Sequence, residues 1–180
     1  MAAAHLRLAR VEDAPILGDV HVSCWRETYA GLLPEAMLAG LSAERRAAAW
    51  ADIIGESGST GTTVWVAEQE QNIVGFGSCG NQREPSLTAQ GFEAEFTAIY
   101  ILRAYQGAEL GRTLMGAMAD TLRGQGKGSA ALWVLHENTA ARLFYERIGG
   151  LLVGEKQDVR PYATLREVAY GWRDISCLVS

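Results

Sequence analysis

The chain has 180 residues, enough for one domain with a substantial buried core. Its 16 Lys and Arg against 21 Asp and Glu give a net charge of −5, which excludes a nucleic-acid-coating protein, since that would need a basic stripe. Cys24, Cys79 and Cys177 lie far apart, odd in number and in no CxxC pair; this disfavours a disulfide framework or zinc site and fits reduced thiols in the cytoplasm.

Leu6-Arg7-Leu8-Ala9-Arg10 alternates and predicts a short first strand. Glu12-Asp13-Ala14-Pro15 predicts a helix entry, with Asp13 as cap and Pro15 in the first turn. That helix runs to about Tyr29, with Ile16, Leu17, Val20 and Cys24 on one face. Ala30-Gly31-Leu32-Leu33-Pro34 breaks it. Ser42 then caps an Ala-rich helix from about Ala43 to Ile54, followed by a polar loop over 55–60. Thr63–Glu68 and Asn72–Cys79 predict an antiparallel hairpin. A loop holding Pro85 leads to a long strand, Phe92 to Leu102.

Leu110 to Arg123 predicts a helix with Leu110, Leu114, Met118 and Leu122 on one stripe. Ala130 to Leu135 is a strand, Thr139 to Ile148 a helix stopped by Gly149-Gly150, and Leu151–Val159 with Glu167–Ile175 a closing strand pair. The order β-α-α-β-β-β-α-β-α-β-β predicts an α/β (α+β) mixed sheet with helices on both faces. Its central β-α-β-α unit pairs in parallel, and the flanking hairpins are antiparallel. The first ten residues hold no sustained apolar run, so no signal peptide is expected, and no stretch approaches the ~20 apolar residues of a membrane helix.

Three glycine patterns bear on phosphate binding. Gly75-Phe76-Gly77-Ser78-Cys79-Gly80 matches GxGxxG, but a polar loop with Pro85 follows where a dinucleotide site needs a helix. A strand with small residues under a crowded neighbour is the preferred reading. Gly107 and Gly111 are four apart and followed by Arg112-Thr113, so no Walker A loop is present. What survives is Gln106-Gly107-Ala108-Glu109-Leu110-Gly111-Arg112, between a strand and a helix, where backbone N–H groups can converge on a phosphate.

At this junction the chain resembles the GNAT superfamily of N-acetyltransferases, whose signature there is Gln/Arg-x-x-Gly-x-Gly/Ala. Asn138, Ala141, Phe144 and Tyr145 match a second pattern of that family, Asn-x-x-Ala-x-x-Phe-Tyr, and the element order matches its fold. The resemblance is specific from about Glu95 to Gly150 and generic elsewhere. One departure stands out: Glu109 occupies the first glycine of the signature. Positive φ there would cost a non-glycine residue about 1–2 kcal/mol, so an ordinary right-handed backbone with the side chain in solvent is expected.

The resemblance implies acetyl-CoA as cosubstrate. Its pyrophosphate would meet the backbone from Gln106 to Arg112, that is Gln106, Gly107, Ala108, Glu109, Leu110, Gly111 and Arg112. The pantetheine arm would lie along Ile99 and Ile101, with the Ile101 N–H polarising the thioester carbonyl. Asn138 and Phe144 belong to the same cofactor side, and Asn138 also suits the N-cap of the last helix. Arg112, Arg142 and Arg147 are candidates for the 3′-phosphate. Transfer to an amine also needs a neutral nucleophile and a proton for the leaving thiolate. Tyr145 is the candidate general acid, with packing on the sheet as the alternative. Glu95, on one strand face with Thr97, Ile99 and Ile101, is the candidate base for an amine of pKa about 10.4, with an exposed strand glutamate as the alternative. Glu93 is the runner-up, and His136 reads as structural.

Trp25 and Tyr29 are i,i+4 neighbours that would line the acceptor pocket or simply pack; Trp50 lies in the same region. The partner expected is a primary amine of a small molecule or a peptide N-terminus, with no nucleic acid, membrane or metal, and a homodimer is an allowed assembly. A non-catalytic acyl-CoA-binding module on the same fold remains the alternative, with Glu109 as its support. A phosphate-binding NTPase lacks its Walker lysine.

Overall fold

The computed structural model describes residues 4–107 and 109–179. In chain order it contains β1 (His5–Leu8), α1 (Ala14–Tyr29), α2 (Glu35–Ala39), α3 (Ala43–Gly55), α4 (Ser57–Thr60), β2 (Thr63–Gln69) and β3 (Asn72–Asn81). Then follow α5 (Pro85–Ala89), β4 (Ala94–Ile101), α6 (Leu110–Gly124), β5 (Ala130–Leu135), α7 (Thr139–Arg147), β6 (Leu151–Arg160) and β7 (Ala163–Trp172). The strands form one mixed sheet in the order β1-β2-β3-β4-β5-β7-β6. Every neighbouring pair is antiparallel except β4–β5.

Helices cover both faces, as the apolar stripes require. Leu114, Met118 and Leu122 of α6 are completely buried, packed with Phe96, Leu132 and Trp172 or with Val74. Tyr145 of α7 joins that layer. On the other face Leu17, Val20 and Cys24 of α1 pack with Trp50 and Ile54 of α3 against Val66, Phe76 and Ala98. The glycines of β3 are close-approach residues: a Cβ on Gly75 would sit 2.8 Å from the Tyr100 carbonyl oxygen, and one on Gly77 2.9 Å from the Met118 sulfur. The strand reading of that GxGxxG match is therefore correct.

Local details differ from expectation. Asp13 holds the N-cap position of α1, but at the end of a 3₁₀ turn with φ −77° and with no side-chain bond to the helix. Its carboxylate accepts the Arg10 N–H at 2.7 Å and a two-pronged pair from Arg7 at 2.7 and 2.9 Å, which ties β1 to the turn. Ile16 is exposed, because the helix rotates Leu17 rather than Ile16 inward. The polar loops over 55–60 and 81–90 each contain one helical turn, α4 and α5.

The most consequential difference is a bulge in β4. Cys79 opposes Phe96 while Ser78 opposes Ala98, so Thr97 is an extra residue. Phe96 packs with the α6 layer, and so do Ile99 and Ile101, whereas Ala98 and Tyr100 pack toward α1 and α3. The side-chain alternation therefore changes parity at Thr97. Glu95 shares no face with Ile99 and Ile101, contrary to an unbroken strand.

Candidate active site

The parallel pairing of β4 and β5 extends over Ala94–Ala130 and Glu95–Ala131 and then stops. Beyond it the strands splay. The Leu102 N–H donates to the Val74 carbonyl, so Val74–Leu102 is a hydrogen-bonded pair of the antiparallel ladder. Ladder bonds alternate. Gly75–Ile101 and Gly77–Ile99 are consequently the non-bonded pairs, and the backbone groups of Ile99 and Ile101 point away from β3 into the splay. Gln106 shows the same direction: its Nε2 donates to the Ile101 carbonyl at 2.9 Å.

The splay opens into a cavity of about 1000 Å³ that reaches both sheet faces. At one end lies the turn into α6. Gly107 has φ +80°. Glu109 precedes α6 with φ 60° and ψ 0°, in the left-handed region, and is exposed. The expected right-handed backbone is therefore wrong: the chain takes the strained conformation without a glycine. From this position the Glu109 carbonyl accepts from the Thr113 N–H at 3.0 Å and starts the helix. Among the described residues no side chain caps α6, so the N–H groups of its first turn stay open to a ligand. A Cβ on Gly111 would sit 3.0 Å from Phe144 Cζ, so this glycine lets α6 approach α7. Ala108 lies outside the described residues.

Tyr145 lines the middle of the cavity, and its hydroxyl takes no hydrogen bond among the described residues. Burial pushes its phenol well above the usual range, with Tyr29 and Tyr100 adding to the effect. It is therefore protonated and able to donate. Asn138 caps α7 as expected, accepting from the Ala141 N–H at 3.2 Å. Its Nδ2 also donates to the Tyr29 hydroxyl at 3.3 Å, which ties α7 to α1. Trp25 donates from Nε1 to the Tyr100 hydroxyl at 3.2 Å, and its ring lies 5.0 Å from that of Tyr29. Both line the cavity. Glu95 does too, but Arg83 holds both its oxygens, at 3.0 and 3.1 Å.

The chain matches the model of the Acetyltransferase (GNAT) family over residues 25–150. It is 32% identical over 174 residues to a Bacillus subtilis protein described as the uncharacterized N-acetyltransferase YuaI, covering 96% of this chain and 95% of that one. The chain belongs to the GNAT family. It is an N-acetyltransferase, and acetyl-CoA is its cosubstrate. Its fold is that of solved acetyltransferases. Thermoplasma acidophilum PaiA in complex with coenzyme A matches with TM-score 0.72 at 20% identity, over 92% of this chain and 98% of that one. Salmonella typhimurium YncA with acetyl-CoA matches with TM-score 0.70 at 20% identity, over 95% and 94%.

Measured against what a GNAT enzyme must hold, the described residues fit the cosubstrate. The splay offers unpaired amides, the turn offers a left-handed glycine, and the helix end offers open N–H groups. Of the residues expected there, one serves by backbone alone and one is engaged elsewhere. Leu110 is buried against Val74 and Leu114, so only its backbone can face a ligand. Arg142 donates to the Tyr170 hydroxyl and the His136 carbonyl and does not line the cavity, whereas Arg112 and Arg147 do. Glu93 accepts from the Gly128 N–H at 2.7 Å, anchoring the loop before β5.

The sequence reading missed the contribution of the last hairpin. Lys156, Arg160 and Glu167 reach the cavity from β6 and β7. Lys156 sits 4.3 Å above the Trp133 ring and pairs with Glu84 at 3.1 Å and Glu167 at 3.7 Å. The available signal was the inner face of β6, where Lys156, Asp158 and Arg160 stand at alternate positions that a buried strand would fill with apolar residues.

Proposed function

We propose that the enzyme acetylates a primary amine, of a small molecule or a peptide N-terminus, by direct attack on the thioester in the β4–β5 splay. The observation that carries this reading is the pair of β4 amides, Ile99 and Ile101, pointing into a gap that ends at an uncapped helix. When bound, acetyl-CoA supplies a thioester whose carbonyl carbon accepts the amine. The Ile101 N–H hydrogen-bonds the carbonyl oxygen as negative charge develops there. The amides of Gly107 to Arg112 hold the pyrophosphate. Tyr145 donates its hydroxyl proton to the departing sulfur, and the second proton shed by the acylated nitrogen restores its hydroxyl.

Glu95 takes the proton of the incoming ammonium. Arg83 occupies two of the four lone-pair sites of its carboxylate, which leaves two for the amine or a bridging water. Trp25 and Tyr29 wall the acceptor end. Cys24 also lines the cavity, and burial pushes its thiol up to about 12, which suits a packed thiol rather than an acyl-carrying nucleophile. The same reading makes the chain one domain acting in the cytoplasm. A homodimer forms on the edge strand β6, whose Leu151, Leu152 and Val159 are exposed.

The test is CoA release from acetyl-CoA with a panel of amines and peptides, alongside thermal stabilisation by acetyl-CoA. Tyr145→Phe is expected to lower kcat about 100-fold and leave acetyl-CoA binding within about twofold. An unchanged kcat removes the acid role. Stabilisation by acetyl-CoA without transfer to any amine leaves the non-catalytic binding module as the function.

A further inference from the structure

A second cavity, of about 470 Å³, lies on the α1–α3 side of the sheet and adjoins the first. The two share Trp25, Thr97, Ala98, Tyr100 and Arg160 in their walls. None of the described residues from Gln106 to Arg112 reaches it, so it opens from the acceptor end and not from the cosubstrate turn.

Its walls hold three arginines, Arg46, Arg83 and Arg160, and no aspartate or glutamate. In a chain of net charge −5 this is a local reversal of sign. Arg83 is engaged with Glu95, and Arg160 with Asp158 at 2.7 Å. Arg46 has no hydrogen bond or ion pair from its side chain among the described residues, although it is half-buried. Arg160 lies 5.7 Å from the Trp25 ring, at the passage between the two cavities. A partly desolvated guanidinium without a counter-charge is an incomplete structure, and an oxyanion completes it.

The neutral groups agree. His21 is buried, with Nδ1 accepting from Trp50 Nε1 at 3.1 Å, so Nε2 carries the remaining proton and has no partner. Burial lowers its pKa to about 4, with Arg46 pushing the same way. The bulge at Thr97 turns that side chain to this face, where its hydroxyl meets that of Ser78. Beside the ion-paired Arg83 and Arg160, the cavity thus offers neutral hydrogen-bond donors and one uncompensated cation, Arg46.

We propose that the acceptor is an amine carrying a second group that is an oxyanion, a carboxylate or a phosphate, and that this annex seats the oxyanion against Arg46 and Arg160 while the amine reaches the splay. The proposal rests on the acetyltransferase reading of the main cavity. It narrows the acceptor to zwitterionic molecules and sets aside polyamines and neutral amines.

The test compares matched acceptors. The probes are 6-aminohexanoate, its methyl amide, 3-aminopropyl phosphate and 1,5-diaminopentane, each assayed for CoA release with acetyl-CoA. The oxyanion-bearing amines are expected to exceed the amide and the diamine in kcat/KM by about tenfold or more, and their ratio to each other tells carboxylate from phosphate. Arg46→Gln is expected to lower the ratio of 6-aminohexanoate to its amide about tenfold, and Arg46→Lys to restore part of it. Arg45→Gln, an exposed neighbour on α3, controls for loss of helix charge. Preference for the diamine or the amide overturns the proposal, as does a ratio that Arg46→Gln leaves unchanged. Equal weakening of acetyl-CoA binding by Arg46→Gln also overturns it, since the annex would then serve the cosubstrate.

Failure of the acetyltransferase reading looks different: no probe is turned over. The same probes are then titrated calorimetrically into the CoA-loaded protein. Binding of 6-aminohexanoate no tighter than its amide rejects the annex as an oxyanion site.

Discussion

The half of the cavity proposed for the cosubstrate is made of backbone: two β4 amides, a glycine turn and a helix end, all within residues 99–112. The acceptor half is made of side chains from α1, α3, β4, β5, β6 and β7, separated by up to 146 residues between His21 and Glu167. A backbone site tolerates change in side chains but not in conformation or space. A side-chain site is the reverse: it can be rebuilt for another acceptor without disturbing the sheet. The two halves should therefore answer differently to substitution.

The sharpest way to break this contrast is at Gly111. Gly111→Val places carbon atoms against Phe144 and should weaken acetyl-CoA about tenfold or more, by the typical cost of overpacking. Titration of acetyl-CoA checks it; an unchanged affinity would mean the α6–α7 approach is not part of the site.

The acceptor half answers to pH through His21. Its folded pKa of about 4 lies below its ordinary 6.5, so in that window the unfolded chain binds a proton that the folded chain refuses. Stability is therefore complete above pH 6.5 and falls as pH drops toward 4, with a slope of up to about 1.4 kcal/mol per pH unit. Denaturant unfolding at several pH values should show this limb in the native protein and lose it in His21→Gln.

Asn138 ties α7 to α1 across the cavity. Asn138→Ala removes the α7 cap and the bond to Tyr29, and should cost about 1 kcal/mol, seen as a melting point about 2–4 °C lower. The smallest effect is a gain. Glu109→Gly relieves the left-handed glutamate and should stabilise by about 1 kcal/mol or less, with acetyl-CoA bound at least as tightly. A loss of stability at this position would show that the carboxylate has a contact of its own.

These contrasts explain what could be read from the sequence. The glycine turn, the α6 stripe and the Asn138 cap depend on neighbours a few residues away, and all three were legible. The left-handed Glu109 was not, because composition alone argued for the relaxed backbone. The parity change at Thr97 was also hidden: a bulge depends on the partner strand, and nothing in Glu95 to Ile101 marks it. Arg46, Arg83 and Arg160 are unremarkable in sequence, since surface arginines are common. Only the fold brings them together, Arg46 from α3, Arg83 from the segment after β3 and Arg160 from the end of β6.

The two-residue pairing of β4 with β5 has a mechanical consequence. The sheet is two leaves, β1 to β4 and β5 to β6, joined along their seam by the rungs at Ala94 and Glu95. A molecule that lies along Ile99 and Ile101 replaces the missing rungs and rivets the leaves together. Occupancy and cohesion are then one equilibrium: whatever fills the gap is also part of what holds the enzyme folded.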